Sequence, residues 1–222
     1  MFGTPISDRP VASDWLKFEE SSGQRFSREN GVLISGSGLL RTGTVLGLIT
    51  LGAATAAMNI GNTGNGTITA SPTVGAAAVP GTVNIVLTSA TAFTVKKADG
   101  TNVGAGTGTV GTPFSGGGLG FTVTAGGTPF IAGDNGTIVV DVGSGKYKPY
   151  DPDGVDGSQT AAGILVDLAV DATSADQKCV VVVRDAMVMP SMLIYADGTT
   201  DGEKADALLE LRAKRILPAR EV

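Results

Sequence analysis

The densest group of chemistry-bearing side chains in the sequence is Asp151-Pro152-Asp153-Gly154-Val155-Asp156-Gly157. Three carboxylates in a glycine-bearing loop offer the hard oxygen ligands that calcium takes. The spacing departs from the EF-hand pattern, because Val155 stands in a ligand slot and no Glu closes the loop. Asp, Pro and Gly are also the ordinary residues of turns. The segment therefore reads as an exposed turn, with calcium at Asp151, Asp153 and Asp156 as the open alternative.

Other routes to chemistry are thinner. Gly106-Thr107-Gly108-Thr109-Val110-Gly111 has the G-x-G-x-x-G spacing of a dinucleotide site. That chemistry needs a helix to open there and turn its N-terminus to the pyrophosphate. Thr112-Pro113-Phe114-Ser115-Gly116-Gly117-Gly118 follows, which cannot be that helix. The chain has no histidine, which removes the commonest general base and the commonest zinc ligand together. No serine sits in a G-x-S-x-G elbow. The one cysteine, Cys179, lies in the apolar run Lys178-Cys179-Val180-Val181-Val182-Val183 and reads as an inert thiol on a buried strand. The residues point to a non-enzymatic binding or structural protein with no cofactor and no metal centre.

Composition narrows the class further. Over 222 residues there are 33 glycines, 5% aromatics and 17% charged residues, with 42% hydrophobic residues and a mean hydropathy of +0.21. A disordered chain would be more charged and less apolar, so this is a folded protein of short strands and many turns. The net charge of -5 gives no surplus of cations for nucleic acid. Arg212, Lys214, Arg215 and Arg220 are the one basic cluster, and they read as complements to a helix C-terminus. The run from Val45 to Ile60 is too short and too rich in Gly, Thr and Ala for a membrane span, and no export signal is visible.

These residues are distributed over three kinds of segment. Residues 1–24 are polar and mixed in charge, with Trp15, Leu16 and Phe18 as the apolar exceptions. Those three either anchor a partner or pack on their own domain. From Phe26 apolar strands begin: Asn30-Gly31 reads as a hairpin turn, and the stretch from Leu39 to Thr50 as two short strands broken at Gly43. Gly47 marks a bulge or a close backbone approach. Residues 61–145 hold most of the glycines, many threonines and little charge. Short alternating runs at 82–88, 92–97, 120–124 and 137–142, with turn signals at Asp99-Gly100 and Asp134-Asn135-Gly136, predict a small all-β, sandwich-like and immunoglobulin-like unit. Its flanks, Gly61–Gly66 and Gly143–Gly145, read as linkers. From Lys146 the first style returns, with strands at 163–166 and 179–184. One helix is marked by the capping box Thr200-Asp201-Gly202-Glu203, with Ala205, Leu208, Leu209 and Ile216 on one face and Pro218 as its stop. The organisation is a discontinuous host domain, residues 25–60 plus 146–222, interrupted by an inserted β domain at 61–145.

The host segments resemble a known family. Ser27-Arg28-Glu29-Asn30-Gly31, Gly43-Thr44-Val45-Leu46-Gly47 and Gly145-Lys146-Tyr147-Lys148-Pro149-Tyr150 are similar to the lambda-type head decoration proteins of tailed bacteriophages. So are Asp156 to Leu165, Val170-Asp171-Ala172-Thr173 leading into Val180 to Asp185, and the final helix followed by Ile216-Leu217. The resemblance implies a mainly β fold, a β-tulip-like host domain with one C-terminal helix, and a homotrimer at local three-fold positions on the outer surface of the capsid in the virion. It implies the major capsid protein as partner, contacted by an N-terminal arm, and makes Trp15, Leu16 and Phe18 the capsid-binding residues. The insert departs from the short lambda-type pattern; it is expected to face outward, where a host surface is within its reach. A surface adhesive or carbohydrate-binding β protein is the alternative, since it too would be rich in Gly and Thr.

Overall fold

The computed structural model describes residues 10–20 and 27–219. Residues 1–9 and 21–24 of the expected arm, and Arg220, lie outside the described residues. The chain forms two compact units. One runs to Ile49 and resumes at Gly145–Gly154 and from Ser158; the other is Thr50–Ser144 with Val155–Gly157.

The first unit begins with α1 (Ala12–Trp15), β1 (Leu16–Glu19), β2 (Arg28–Leu33), β3 (Gly38–Arg41) and β4 (Val45–Leu48). The second unit follows with β5 (Leu51–Met58), β6 (Thr67–Ile68), β7 (Thr73–Val74), β8 (Gly81–Leu87), β9 (Ala92–Lys97), β10 (Asn102–Thr109), β11 (Phe114–Gly116), β12 (Leu119–Phe121), β13 (Val123–Thr124) and β14 (Asn135–Val142). The chain then returns to the first unit with β15 (Tyr147–Pro149), β16 (Ala161–Leu165), β17 (Ala169–Ala172), β18 (Gln177–Val182), β19 (Ala186–Val188), α2 (Asp201–Ala213) and β20 (Ile216–Pro218). The protein is mainly β with one substantial, C-terminal helix, as its sequence predicts.

In the first unit, β15-β2-β18-β16-β4 close into a barrel. Strands β4 and β16 and the end of β18 are apolar without interruption because both of their faces are covered, whereas β2 opens with Arg28-Glu29-Asn30 at the surface. Leu46, Leu165 and Val181 pack in one cluster with Leu33 and Tyr147. Their chain neighbours Val45, Ile164 and Val182 pack in another with Trp15, Val188, Ala207, Leu211 and Ile216. Two glycines make this packing possible. Gly47 on β4 is crossed by Ser158, and a Cβ there would lie 2.4 Å from the Ser158 carbonyl oxygen. Asn30-Gly31 is not a hairpin turn but lies within β2; a Cβ at Gly31 would sit 2.7 Å from the Tyr147 ring, so the glycine serves that ring and not a turn.

Helix α2 starts as expected. The Thr200 hydroxyl accepts from the Glu203 N–H, and the Glu203 carboxylate accepts from the Thr200 N–H at 2.7 Å. Its buried face is only partly the expected one: Leu208 and Ile216 pack into the Trp15 cluster as expected, but Ala207 and Leu211 are its fully buried residues, while Ala205 is exposed and Leu209 is 62% exposed. Nor does Pro218 stop it. The helix ends at Ala213, and Ile216 to Pro218 form β20, which pairs parallel with β19.

In the second unit a five-stranded sheet, β10-β9-β8-β14-β5, shares one core with the β11-β12-β7 sheet and the β13-β6 pair. Strand β8 points Val83, Ile85 and Leu87 inward, and β14 points Ile138 and Val140. Phe93, Phe114 and Phe121 fill the centre with ring centroids 4.9 to 6.4 Å apart. Residues 50–60, read as host from sequence, lie in this unit because β5 pairs with β14 from Leu51 to Met58. Gly61–Gly66 is not a free linker. The buried Asp134 carboxylate accepts the N–H groups of Thr63 at 2.8 Å, Gly64 at 2.9 Å and Ile131 at 3.0 Å. The Gly106–Gly111 motif runs along β10 into a turn, with no helix following. A Cβ at Gly108 would lie 2.3 Å from the Phe93 ring, so that glycine seats an aromatic side chain.

Candidate functional site

The feature of the first unit that invites a partner is built by its three-stranded sheet, β1-β19-β20. Strands of three and four residues cannot hold themselves together, so the sheet depends on what it packs against. Its inner face carries Ala186, Val188 and Ile216, all buried in the cluster around α2. Its outer face carries a row: Phe18 pairs with Met187, and Met187 with Leu217. These side chains are 59%, 38% and 42% exposed. A register shift between Leu16 and Phe18 leaves both Lys17 and Phe18 at the surface. Among the described residues, no strand pairs with the other edge of β1. The site is therefore an apolar strip beside a strand edge, which suits an extended segment of another protein.

The strip is held from behind. Trp15 is 1% exposed, and its indole N–H donates to the Thr42 hydroxyl at 2.9 Å. Thr42 in turn donates to the Val166 carbonyl at 3.0 Å. The far end of β1 is clamped by a two-pronged contact from Arg28 to the Glu19 carboxylate, at 2.5 and 2.7 Å. Of the three residues expected to touch a partner, the structure presents only Phe18. Trp15 is a core residue here, because its ring and its one polar atom are both satisfied within the domain. Leu16 is partly buried against the same cluster. The sequence reading missed Met187 and Leu217. Their strands are three residues long, too short for alternation to register, and only pairing across β19 brings them beside Phe18.

The other candidates do not assemble. No group of three or more acidic or cysteine side chains among the described residues is arranged to hold a metal ion. Asp151 pairs with Lys148 at 3.5 Å, and the Asp156 carbonyl accepts the Thr50 and Leu51 N–H groups at 2.9 Å. Cys179 is buried, and burial with Asp167 nearby pushes its thiol up to about 11, where it stays protonated and unreactive. Arg212 lies in the last turn of α2, while Arg215 is engaged with Asp185 at 2.8 Å. No helix among the described residues is long and apolar enough to cross a membrane.

No curated protein matches the chain. Two crystal structures of Xanthomonas campestris FlgL align with 48% of it at 21% identity. The TM-score is 0.34 in both, and the chain spans about a third of that protein's length, so the likeness carries no argument. The family model for bacteriophage lambda head decoration protein D matches residues 5–216, nearly the whole described chain. The chain belongs to the bacteriophage lambda head decoration protein D family, and is thus a structural component of the virion at the outer surface of the phage head.

Proposed function

We propose that the protein binds the major capsid protein through the β1-β19-β20 strip, and that this binding stabilises the shell. The observation that carries the reading is the row Phe18, Met187 and Leu217, exposed on one sheet face in a chain of the head decoration family. On this reading the protein acts by binding alone. It assembles as a homotrimer whose first unit has the β-tulip fold of the family, and its second unit is an immunoglobulin-like, outward-facing insert dispensable for docking.

Physical scale supports several contacts over one. A specific interface buries about 1,600 Å² in total. A row of three side chains supplies only part of that. Three linked copies engage as one ligand with a high effective concentration. An N-terminal segment that adds strand hydrogen bonds to the β1 edge extends each contact.

The test is sedimentation of the protein with purified empty heads. Phe18→Ser and Met187→Ser keep the inner face intact and should each weaken binding about tenfold or more. Variants that saturate heads at wild-type concentrations would remove the strip from the mechanism. Binding to host cells or glycans in place of heads would favour the adhesive alternative.

A further inference from the structure

We propose that Met187 is a modification site that governs docking: a peroxide oxidises its thioether to the sulfoxide, and the modified strip no longer holds an apolar partner. The inference rests on the reading of the β1-β19-β20 strip as the head-binding surface. Met187 stands at the middle of the row, on the central strand, with Phe18 opposite it on β1 and Leu217 opposite it on β20. Its chain neighbours Ala186 and Val188 are 4% and 0% exposed, so the backbone is fixed and the Met187 side chain is held on the outer face. A partner that covers Phe18 and Leu217 must also cover the thioether between them.

Reduced methionine suits such a face, because an unbranched, flexible thioether adapts to the surface it meets. The same sulfur is open to attack while the strip is free. Its lone pair takes one oxygen of the peroxide, the O–O bond breaks, and the other oxygen leaves as water; the sulfur gives up two electrons and the peroxide gains them. The product is a polar acceptor in an apolar row. The Phe18 and Leu217 side chains carry no donor, so a partner that covers the sulfoxide buries an unpaired polar group. Docking itself closes the site, since a covered sulfur is out of reach of peroxide.

The other sulfurs are set apart from this chemistry. Met58 and Met189 are partly buried, and Met1 lies outside the described residues. Met192 is 54% exposed but lies in the turn Pro190–Met192, outside the sheet. Cys179 is buried and its thiol stays protonated, so no thiolate competes for the oxidant.

The test uses the full chain, dilute hydrogen peroxide and purified empty heads, with each methionine followed by peptide mass spectrometry. Peroxide should convert Met187 to the sulfoxide without moving Trp15 emission, and the oxidised protein should bind heads about tenfold more weakly. Met187→Leu nearly conserves volume; it should bind as wild type does and resist peroxide. Met192→Leu should be as sensitive as wild type. Full binding by protein oxidised at Met187, or sensitivity that survives Met187→Leu or disappears in Met192→Leu, overturns the inference. Two further measurements test the strip itself. Protein already on heads should gain the Met187 sulfoxide about fivefold more slowly than free protein, because the contact excludes solvent. Equal rates on and off heads, or Met187→Ser that binds as wild type does, would remove the strip reading and the inference with it. Weak binding by Met187→Ser beside full binding by oxidised wild type removes only the oxidation step.

Discussion

Strands β18 and β14 are both apolar, yet they are buried in different ways. In β18 the consecutive residues Val181 and Val182 are both fully buried, because the barrel has packed layers on either side. In β14 burial alternates: Ile138 and Val140 point inward, while Val139 is 40% exposed. The first unit thus buries its strands on two faces and needs backbone to pass close to backbone. The second leaves a sheet face to water and concentrates its stability in one core around three phenylalanines. Charge follows the same division. The ion pairs Arg28–Glu19, Lys146–Asp176, Arg184–Glu29 and Arg215–Asp185 all belong to the first unit. The second unit places its buried carboxylate, Asp134, on backbone N–H groups instead.

Two substitutions can break this division from opposite sides. The only tryptophan, Trp15, and all three tyrosines lie in the first unit, so intrinsic fluorescence follows that unit. Gly47→Val places a branched side chain on the Ser158 backbone, where no rotamer relieves the clash. Overpacking of this kind costs about 1–3 kcal/mol or more. Trp15 emission should shift to the red while amide protection in β8, β9 and β14 persists. Unchanged emission and Tm would show that the Ser158 crossing is not a constraint. Phe121→Ala does the reverse: it should remove about 3–5 kcal/mol from the second unit and leave Trp15 emission in place. Loss of both signals together would mean the two units unfold as one.

Acid separates the units next. Burial acts to raise the Asp134 pKa, but the Gly64, Ile131 and Thr63 N–H groups outweigh it and hold the carboxyl below its usual value. A depressed folded pKa means stability that is fully present above the unfolded carboxyl's pKa of about 3.9 and lost as pH falls through the folded value. Asp134→Asn should therefore destabilise the second unit at neutral pH and flatten its acid transition. Hydrogen exchange at Thr63 and Gly64 measures this locally; a variant with the wild-type acid profile would show that the carboxylate's charge does not hold the loop.

How much of this was legible in the sequence depends on element length. The Thr200 capping box, the alternation in β8 and the apolar run of β18 are local signals, and the structure carries all three. Signals that depend on a distant partner misled. Asn30-Gly31 has turn chemistry, but Tyr147, more than a hundred residues away, decides its use. Residues 51–58 have the Gly/Ala/Thr character of a connection and become a strand only because β14 pairs with them. At the candidate site Phe18 and Trp15 both stand out in the sequence as aromatics in a polar stretch, and composition does not separate them: Phe18 is exposed, while Trp15 is buried with Thr42 taking its indole N–H.

The smallest expected effect is also the one that best tests the role of charge. Lys146 and Asp176 meet at 2.5 Å, and Asp176 also accepts the Ser35 N–H at 2.9 Å. These contacts, Lys146 first, lower the Asp176 pKa. The two side chains are 34% and 41% exposed, so water and salt screen the pair heavily. Lys146→Met should then cost less than about 1 kcal/mol, a fall of about 4 °C at most in a transition followed by Trp15. The loss should shrink further in about 1 M salt, where the screening length is near 3 Å. Wild-type protein should show the matching asymmetry, with salt weakening the first unit slightly through its several pairs and leaving the Phe121 core of the second untouched. A Lys146→Met loss that persists at high salt would mean the lysine acts through the packing of its aliphatic stem, and the contrast between the units would then rest on shape and burial alone.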